Sequence, residues 1–149
     1  MKQYFSHSAE ETFLLGHAFG KQLPLHSVIC FFGDLAAGKT TFIKGLVAGA
    51  GQLDPSIVQS PTFTYLNIYE GVKTIYHFDL YRLSDADEFL SMGFEEYFEA
   101  NGICCIEWSE RIAPILPLHC IHVTLAHQGG DERMIIILKE GEYEKGCSG

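Results

Sequence analysis

Gly33-Asp34-Leu35-Ala36-Ala37-Gly38-Lys39-Thr40 is a complete G-x-x-x-x-G-K-[ST] phosphate-binding loop. It lies between an apolar, strand-like run, Val28-Ile29-Cys30-Phe31-Phe32, and a helix-like run from Thr41 to about Ala50. That is the context the loop needs. The strand delivers the chain to a sheet edge, and glycines curl the backbone so that its N–H groups face a polyphosphate. The following helix adds positive potential from its N-terminus. Lys39 is placed to neutralise β/γ-phosphates, and the Thr40 hydroxyl to ligate Mg²⁺. A nucleoside triphosphate is the expected ligand.

Outward from the loop, the chain reads as alternating helices and strands. Ser8-Ala9-Glu10-Glu11 is a capping box, and an amphipathic helix follows to about Leu23, ended by Pro24. Gly49 and Gly51 are expected to close the phosphate-loop helix, and Gln52 to Ser60 to form a loop. Thr62–Tyr69 and Lys73–Leu80 alternate, are rich in aromatic residues and read as a β-hairpin through Glu70-Gly71. A helix is expected from Ser84 to about Met92-Gly93, a short one over Phe94–Glu99, and a turn at Asn101-Gly102. Ile103-Cys104-Cys105-Ile106 has the unbroken apolar character of a strand buried on both faces. Cys120–Leu125 and Met134–Leu138 form a last strand pair across Gln128–Asp131, and residues 142–149 read as a frayed tail. The expected fold is α/β: one P-loop NTPase-like ATP-binding domain over residues 1–149. It is a three-layer sandwich with parallel core strands and antiparallel edge strands.

Composition narrows the function classes. With 149 residues, 47% of them hydrophobic, the chain is long enough for one packed core and too apolar for disorder. The formal net charge is −9, and the arginines are Arg82, Arg111 and Arg133 alone. This argues against a broad basic face for DNA or RNA. Any link to nucleic acid is expected to run through a partner protein. Cys30, Cys104, Cys105, Cys120 and Cys147 have no C-x-x-C spacing and read as reduced thiols of a cytoplasmic protein. The apolar runs are too short for a membrane span, and no signal peptide is visible.

A phosphate loop needs an acidic residue near its metal, usually at the end of a neighbouring buried strand. Ile103–Ile106 runs directly into Glu107, which can ligate Mg²⁺, hold a metal-bound water, orient the attacking water or simply be solvated. Trp108 follows, with three readings: beside the nucleotide, on a partner surface, or in the core. In His77-Phe78-Asp79-Leu80-Tyr81-Arg82, strand alternation puts His77, Asp79 and Tyr81 on one face. Asp79 is a second candidate for metal or water. His77 reads first as a hydrogen-bonded structural residue. Arg82 can offset phosphate charge or pair with an acid. Ser60-Pro61-Thr62-Phe63-Thr64 lies where nucleotide hydrolases place a γ-phosphate-sensing segment, making Ser60, Thr62 and Thr64 candidate switch residues, and reads equally as a plain Ser-Pro turn into a strand. There is no Asn-Lys-x-Asp guanine-reading motif, and no arginine-rich lid as a small-molecule kinase would want.

Taken together, the phosphate loop, Ser60-Pro61-Thr62-Phe63, His77-Phe78-Asp79-Leu80-Tyr81-Arg82 and Ile106-Glu107-Trp108-x-Glu110 resemble the TsaE (YjeE) family. These are small ATPases of bacterial tRNA threonylcarbamoyladenosine synthesis. The resemblance spans nearly the whole chain, and the His-x-Asp-x-Tyr-Arg segment followed by Glu-Trp is its most specific part. Ala36 stands where the family usually has glycine.

The resemblance implies ATP and Mg²⁺ as ligands. ATP would lie against Gly33, Leu35, Ala36, Ala37, Gly38, Lys39, Thr40 and Thr41, with Glu110 nearby and Ala9 bordering the base. Thr40 and Glu107 would stand at the metal, and Asp79 would support metal binding or hydrolysis. The implied partners are the TsaD and TsaB proteins, which modify adenosine 37 of tRNA. The chain would touch tRNA only indirectly and would neither perform the transfer nor bind DNA or a membrane. Two alternatives remain open on the residues: a small-molecule P-loop kinase, and a nucleotide-dependent adaptor without turnover.

Overall fold

The computed structural model describes residues 1–34, 37–61 and 63–139. The expectations for Leu35, Ala36, Thr62 and the tail 142–149 lie outside the described residues. The elements are β1 (Lys2–Ser6), α1 (Ala9–Gln22), β2 (Val28–Phe32), α2 (Lys39–Gly51), β3 (Leu66–Tyr69), β4 (Thr74–Asp79), α3 (Ala86–Ser91), β5 (Gly102–Glu107), β6 (Ile121–Gly129) and β7 (Glu132–Leu138). Short 3-10 segments occupy Pro55–Ile57, Phe94–Phe98 and Ser109–Ile115.

The seven strands form one sheet in the order β1-β7-β6-β2-β5-β4-β3. β2 pairs in parallel with both β5 and β6, and β4 in parallel with β5. β3, β7 and β1 are added antiparallel at the edges. This is the expected three-layer α/β sandwich. On one face α1 and α2 cover Ile29, Phe31, Ile75, Ile103, Cys105, Val123 and Ile135. On the other, α3 and the 3-10 segments bring Phe89, Ile112, Phe94 and Phe98 onto Val28, Cys30, Phe78, Cys104 and Ile106. Every residue of β5 is buried, as its unbroken apolar run predicts for a central parallel strand.

The Ser8 cap forms, with the return bond from Glu11 shifted by one residue to His7. Ser8 Oγ accepts from the Glu11 N–H at 3.1 Å, and Glu11 Oε2 accepts from the His7 N–H at 3.0 Å. The end of β1 is tied to α1 by a buried contact of 2.7 Å between the Ser6 and Thr12 hydroxyls.

Four differences from the sequence reading have physical reasons. β1 was not expected. Its alternation is weak, and it exists because β7 offers an open edge for five residue pairs. β3 begins at Leu66 rather than Thr62, because Phe63 and Thr64 turn and Tyr65 takes φ 64°. β4 ends at Asp79, so Tyr81 lies beyond the strand whose face it was expected to share. Gly49 does not close α2. The helix continues to Gly51, and Gln52 takes the left-handed cap at φ 54°.

Gly49 belongs instead to a seam between α1 and α2. A methyl on Gly45 would overlap the Phe13 carbonyl oxygen, and one on Gly16 the Phe42 carbonyl oxygen. The two backbones touch, and this contact seats α2 against the sheet. Gly45→Ala sets two effects against each other. Helix propensity favours alanine by about 1 kcal/mol, while forcing a methyl into packed backbone costs about 1–3 kcal/mol. Steric overlap should win. Urea unfolding is expected to show a lower midpoint at an unchanged slope; a raised midpoint would show that the helices separate freely.

Candidate functional site

β2, β4 and β5 run the same way, so their C-terminal ends share one edge of the sheet. In open α/β sheets that edge is where ligands bind. The register puts Phe31 beside Glu107, and Glu107 beside Asp79. The phosphate loop leaves β2 immediately after Phe31-Phe32, so loop and carboxylates emerge together.

The loop's glycines take the positive φ their role requires. Gly33 has φ 144° and Gly38 φ 96°, a region glycine enters without penalty. At Gly33 there is also no room, because a Cβ would stand 2.5 Å from the Leu125 carbonyl oxygen. The Ala37 N–H donates to the Asp34 carbonyl at 3.0 Å. Helix α2 starts at Lys39, two residues before the expected Thr41, and Gly38 provides no side-chain cap. The first-turn N–H groups of a helix have no partner within it, so this end suits an anion. Thr40 is exposed there. Ala9, Thr12, Gly38, Thr41, Asp131 and Arg133 line a small cleft of about 40 Å³ beside the loop. Ala9 therefore lies at the loop's flank. Thr12, Asp131 and Arg133 were not anticipated. Asp131 comes from the β6–β7 turn and Arg133 from the start of β7, and no local signal links that hairpin to a loop so much earlier in the chain.

Glu107 is not solvated. It is 6% exposed, and its Oε2 accepts from His77 Nε2 at 2.9 Å. A buried carboxylate needs such a donor, since desolvation without one is costly. His77 is 1% exposed, and its Nδ1 lies 3.0 Å from the Tyr69 hydroxyl. Burial pushes the Tyr69 phenol above its ordinary value, so it acts as a neutral hydroxyl. That hydroxyl also accepts from the Gln59 N–H at 3.2 Å and reaches the Gln59 carbonyl at 3.0 Å. His77 is thus the hydrogen-bonded structural residue expected, and its bond to Glu107 ties it to the site as well.

Asp79 is half-buried, and its Oδ1 accepts from the Tyr81 N–H at 3.1 Å. Burial first, then repulsion from Glu107, raises its carboxyl above the ordinary 3.8 despite opposing effects of the Tyr81 N–H, His77 and Lys39. Lys39 and Glu107 therefore both lie within electrostatic reach of Asp79. Two neighbouring carboxylates, one of them resisting ionisation, are a donor set that a hard divalent cation relieves. Among the described residues no cluster of three or more His, Cys, Asp or Glu could cage a metal. Mg²⁺ fits this sparse set because it usually keeps waters and phosphate oxygens as ligands.

The remaining candidates are at the surface. Trp108 is 37% exposed, with the Tyr81 ring at 5.1 Å and the Arg111 guanidinium 5.5 Å from its ring centre. It is not a core residue. Arg82 is exposed and lies 4.7 Å over the ring of Phe63, itself 75% exposed. Glu110, Ser60 and Thr64 are exposed, and Thr64 Oγ1 points back to the Leu66 carbonyl at 3.4 Å.

The raised Asp79 carboxyl has a consequence for stability. A group whose folded-state value exceeds its unfolded value contributes stability below the unfolded value, and this is lost as pH rises through the folded one. Ionised Asp79 is therefore a cost at neutral pH. Asp79→Asn keeps the acceptor for the Tyr81 N–H and should melt higher than the wild type at pH 7. The advantage should shrink toward zero as pH falls to 3.8 and below. Thermal melts across that range check the sign.

The model of the family described as "Threonylcarbamoyl adenosine biosynthesis protein TsaE" matches residues 6–135. The chain is 40% identical over 132 residues to the tRNA threonylcarbamoyladenosine biosynthesis protein TsaE of Treponema pallidum (strain Nichols), covering 89% of this chain and 96% of that one. It is 42% identical to the protein of that name from Bacillus subtilis (strain 168), covering 80% and 75%. Among solved structures, the Bacillus subtilis YdiB crystal structure superposes with a TM-score of 0.77 at 31% identity, covering 94% of this chain and 86% of that one. With the family model matched from the end of β1 into β7, and these relatives aligned over most of their lengths, the chain belongs to the TsaE family.

Proposed function

We propose that this chain binds Mg·ATP at the Gly33–Thr41 loop and hydrolyses it slowly, in support of the TsaD–TsaB assembly that threonylcarbamoylates adenosine 37 of tRNA. The observation that carries the reading is the convergence at one sheet edge of a phosphate loop, its lysine and two strand-end carboxylates. Its biological setting rests on family membership and on the printed names of the relatives, which are tRNA threonylcarbamoyladenosine biosynthesis proteins.

In this reading the loop N–H groups and Lys39 hold the triphosphate, with Leu35, Ala36, Ala37 and Thr41 lining it. Ala9 borders the base and Glu110 lies close by. Thr40 and Glu107 would hold Mg²⁺, which neutralises developing charge on the phosphate oxygens. Asp79 or Glu107 orients the attacking water. Burial of Glu107 and its bond to His77 preorganise that carboxylate, so little rearrangement is needed when charge develops. ATP is preferred over GTP, since the sequence has no Asn-Lys-x-Asp guanine-reading motif. The acidic charge of −9 suits a protein that leaves tRNA to its partners. Trp108, Tyr81, Phe63, Arg82 and Arg111 form a partly aromatic, partly basic rim beside the site, a composition common at protein interfaces. In this reading Ser60, Thr62 and Thr64, in the segment whose Phe63 ring lies under Arg82, sense nucleotide state.

Two assays check the site. Lys39→Ala should abolish tight binding of a fluorescent ATP analogue. Glu107→Ala should leave the fold intact while lowering phosphate release about 10²-fold or more, as loss of a preorganised group does. Normal turnover in a folded Glu107→Ala protein would remove that residue from the chemistry. Radiolabel recovered in a metabolite instead of inorganic phosphate would replace the ATPase reading with a kinase.

Partnership is tested separately. Phosphate release by the isolated chain should be slow and should rise when TsaB and TsaD are added. An incomplete phosphoryl-transfer site often receives its missing charge from another protein, with gains of about 10³–10⁵ for a supplied arginine. A smaller gain is expected here, because Arg82 and Arg111 already stand at the rim. Absence of both stimulation and co-elution in every nucleotide state would overturn the regulatory role.

A further inference from the structure

Four groups form an unbroken hydrogen-bonded line through the interior. It runs from Glu107 Oε2 to His77 Nε2 at 2.9 Å, and from His77 Nδ1 to the Tyr69 hydroxyl at 3.0 Å. From that hydroxyl it continues to the Gln59 N–H, which donates to it at 3.2 Å, with the Gln59 carbonyl oxygen 3.0 Å away. One end is a carboxylate at the ligand edge of the sheet. The other is the backbone one residue before Ser60. Core packing alone does not account for this line. Tyr69 and His77 face the same side of the sheet as Ile75 and Cys105, whose neighbours on α2 are apolar. An apolar pair would fill the space without the need to satisfy buried polar atoms.

The donor and acceptor roles make the line directional. Carboxylate oxygen only accepts, so His77 Nε2 carries the proton of that bond. In the neutral ring Nδ1 then accepts, and the single phenolic proton of Tyr69 goes to it. The Gln59 carbonyl stays satisfied by Asn67 Nδ2 at 2.9 Å. If the Glu107 carboxylate shifts, the His77 ring must turn with it or lose its bond. The Tyr69 hydroxyl, held 3.0 Å away, is the next group affected. β3 and β4 are paired directly at Asn67–His77, so little of such a shift can be absorbed by the backbone.

We propose that Tyr69 and His77 are positioning residues that tie the Glu107 carboxylate to the Gln59 backbone, so that what Glu107 contacts at the sheet edge is transmitted to the chain entering Ser60. This deepens the nucleotide-site reading and rests on it for its purpose. The physical coupling itself can be measured without nucleotide.

The test is a double-mutant cycle read by backbone hydrogen exchange. Exchange at Gln59 is followed in nucleotide-free full-length protein, as wild type, Glu107→Ala, Tyr69→Phe and the double variant. Tyr69→Phe removes the N–H acceptor and should speed exchange at Gln59 directly. The informative variant is Glu107→Ala, which touches Gln59 nowhere. It should also speed exchange there, and this effect should vanish in the Tyr69→Phe background. No effect of Glu107→Ala at Gln59, or effects that simply add, would overturn the proposal. His77→Phe supplies a second route should Tyr69→Phe unfold. Its ring neither donates to Glu107 nor accepts from Tyr69, so the same uncoupling is expected.

With Mg·ATP, Tyr69→Phe should lower kcat about tenfold, within the range that slight misplacement of a catalytic group produces, while KM stays within about twofold. A purely structural tyrosine would instead lower the melting temperature and leave kcat per folded molecule unchanged, which would also overturn the proposal. Failure of the parent reading looks different: the wild type would neither bind nor hydrolyse ATP, while the exchange cycle would still return its own answer.

Discussion

The rest of the molecule depends on the parallel pairing of β5 with a strand on each side. β5 is buried along its whole length, and β2 and β4 flank it in the same direction. Parallel neighbours bring their C-terminal ends to one edge. A loop leaving β2 and carboxylates ending β4 and β5 then become neighbours without any direct bond between them. Antiparallel pairing at either seam would send one of these groups to the opposite edge. The antiparallel strands β3, β7 and β1 are confined to positions outside this core, where they extend the sheet without disturbing the shared edge.

The helices complete the arrangement from one side. The glycine seam lets α1 approach α2 backbone to backbone. This holds the start of α1, with Ala9 and Thr12, against the flank of the phosphate loop. A looser helix pair with ordinary side chains at the seam would move that start away from the loop by the width of a methyl group or more. Packing of two helices thus sets the width of the cleft beside the loop, a link from core geometry to the candidate site.

The polar groups at the edge work against folding stability. Asp79 resists ionisation because burial and Glu107 both disfavour its charge. Glu107 is sunk in the sheet and depends on His77 for a donor. A chain selected for stability alone would place apolar residues at these strand ends, since buried charge is weakly stabilising at best. Strain of this kind is common where charge must later be met by a ligand. The exposed aromatic and basic rim around Trp108 is a similar cost, borne at the surface.

Much of this protein was legible locally. The loop between Val28–Phe32 and α2, the capping box at Ser8, and the unbroken apolar run into Glu107 each carry their meaning in consecutive residues. Spacing and residue type determine loop, cap and buried strand before any tertiary contact forms. The α/β class, the parallel core and the identity of Lys39, Thr40, Asp79 and Glu107 as candidates follow from those signals. What only the tertiary structure decided are the features that join distant segments. β1 exists by pairing with β7. Gly49 packs against α1 instead of ending α2. Arg133 and Asp131 reach the loop from a far hairpin. The Tyr69 hydroxyl meets His77 and Gln59 because β3 folds onto β4. Periodicity reports which face a side chain takes, but not what lies across from it. Partner identity is settled by register and packing, which link residues tens of positions apart.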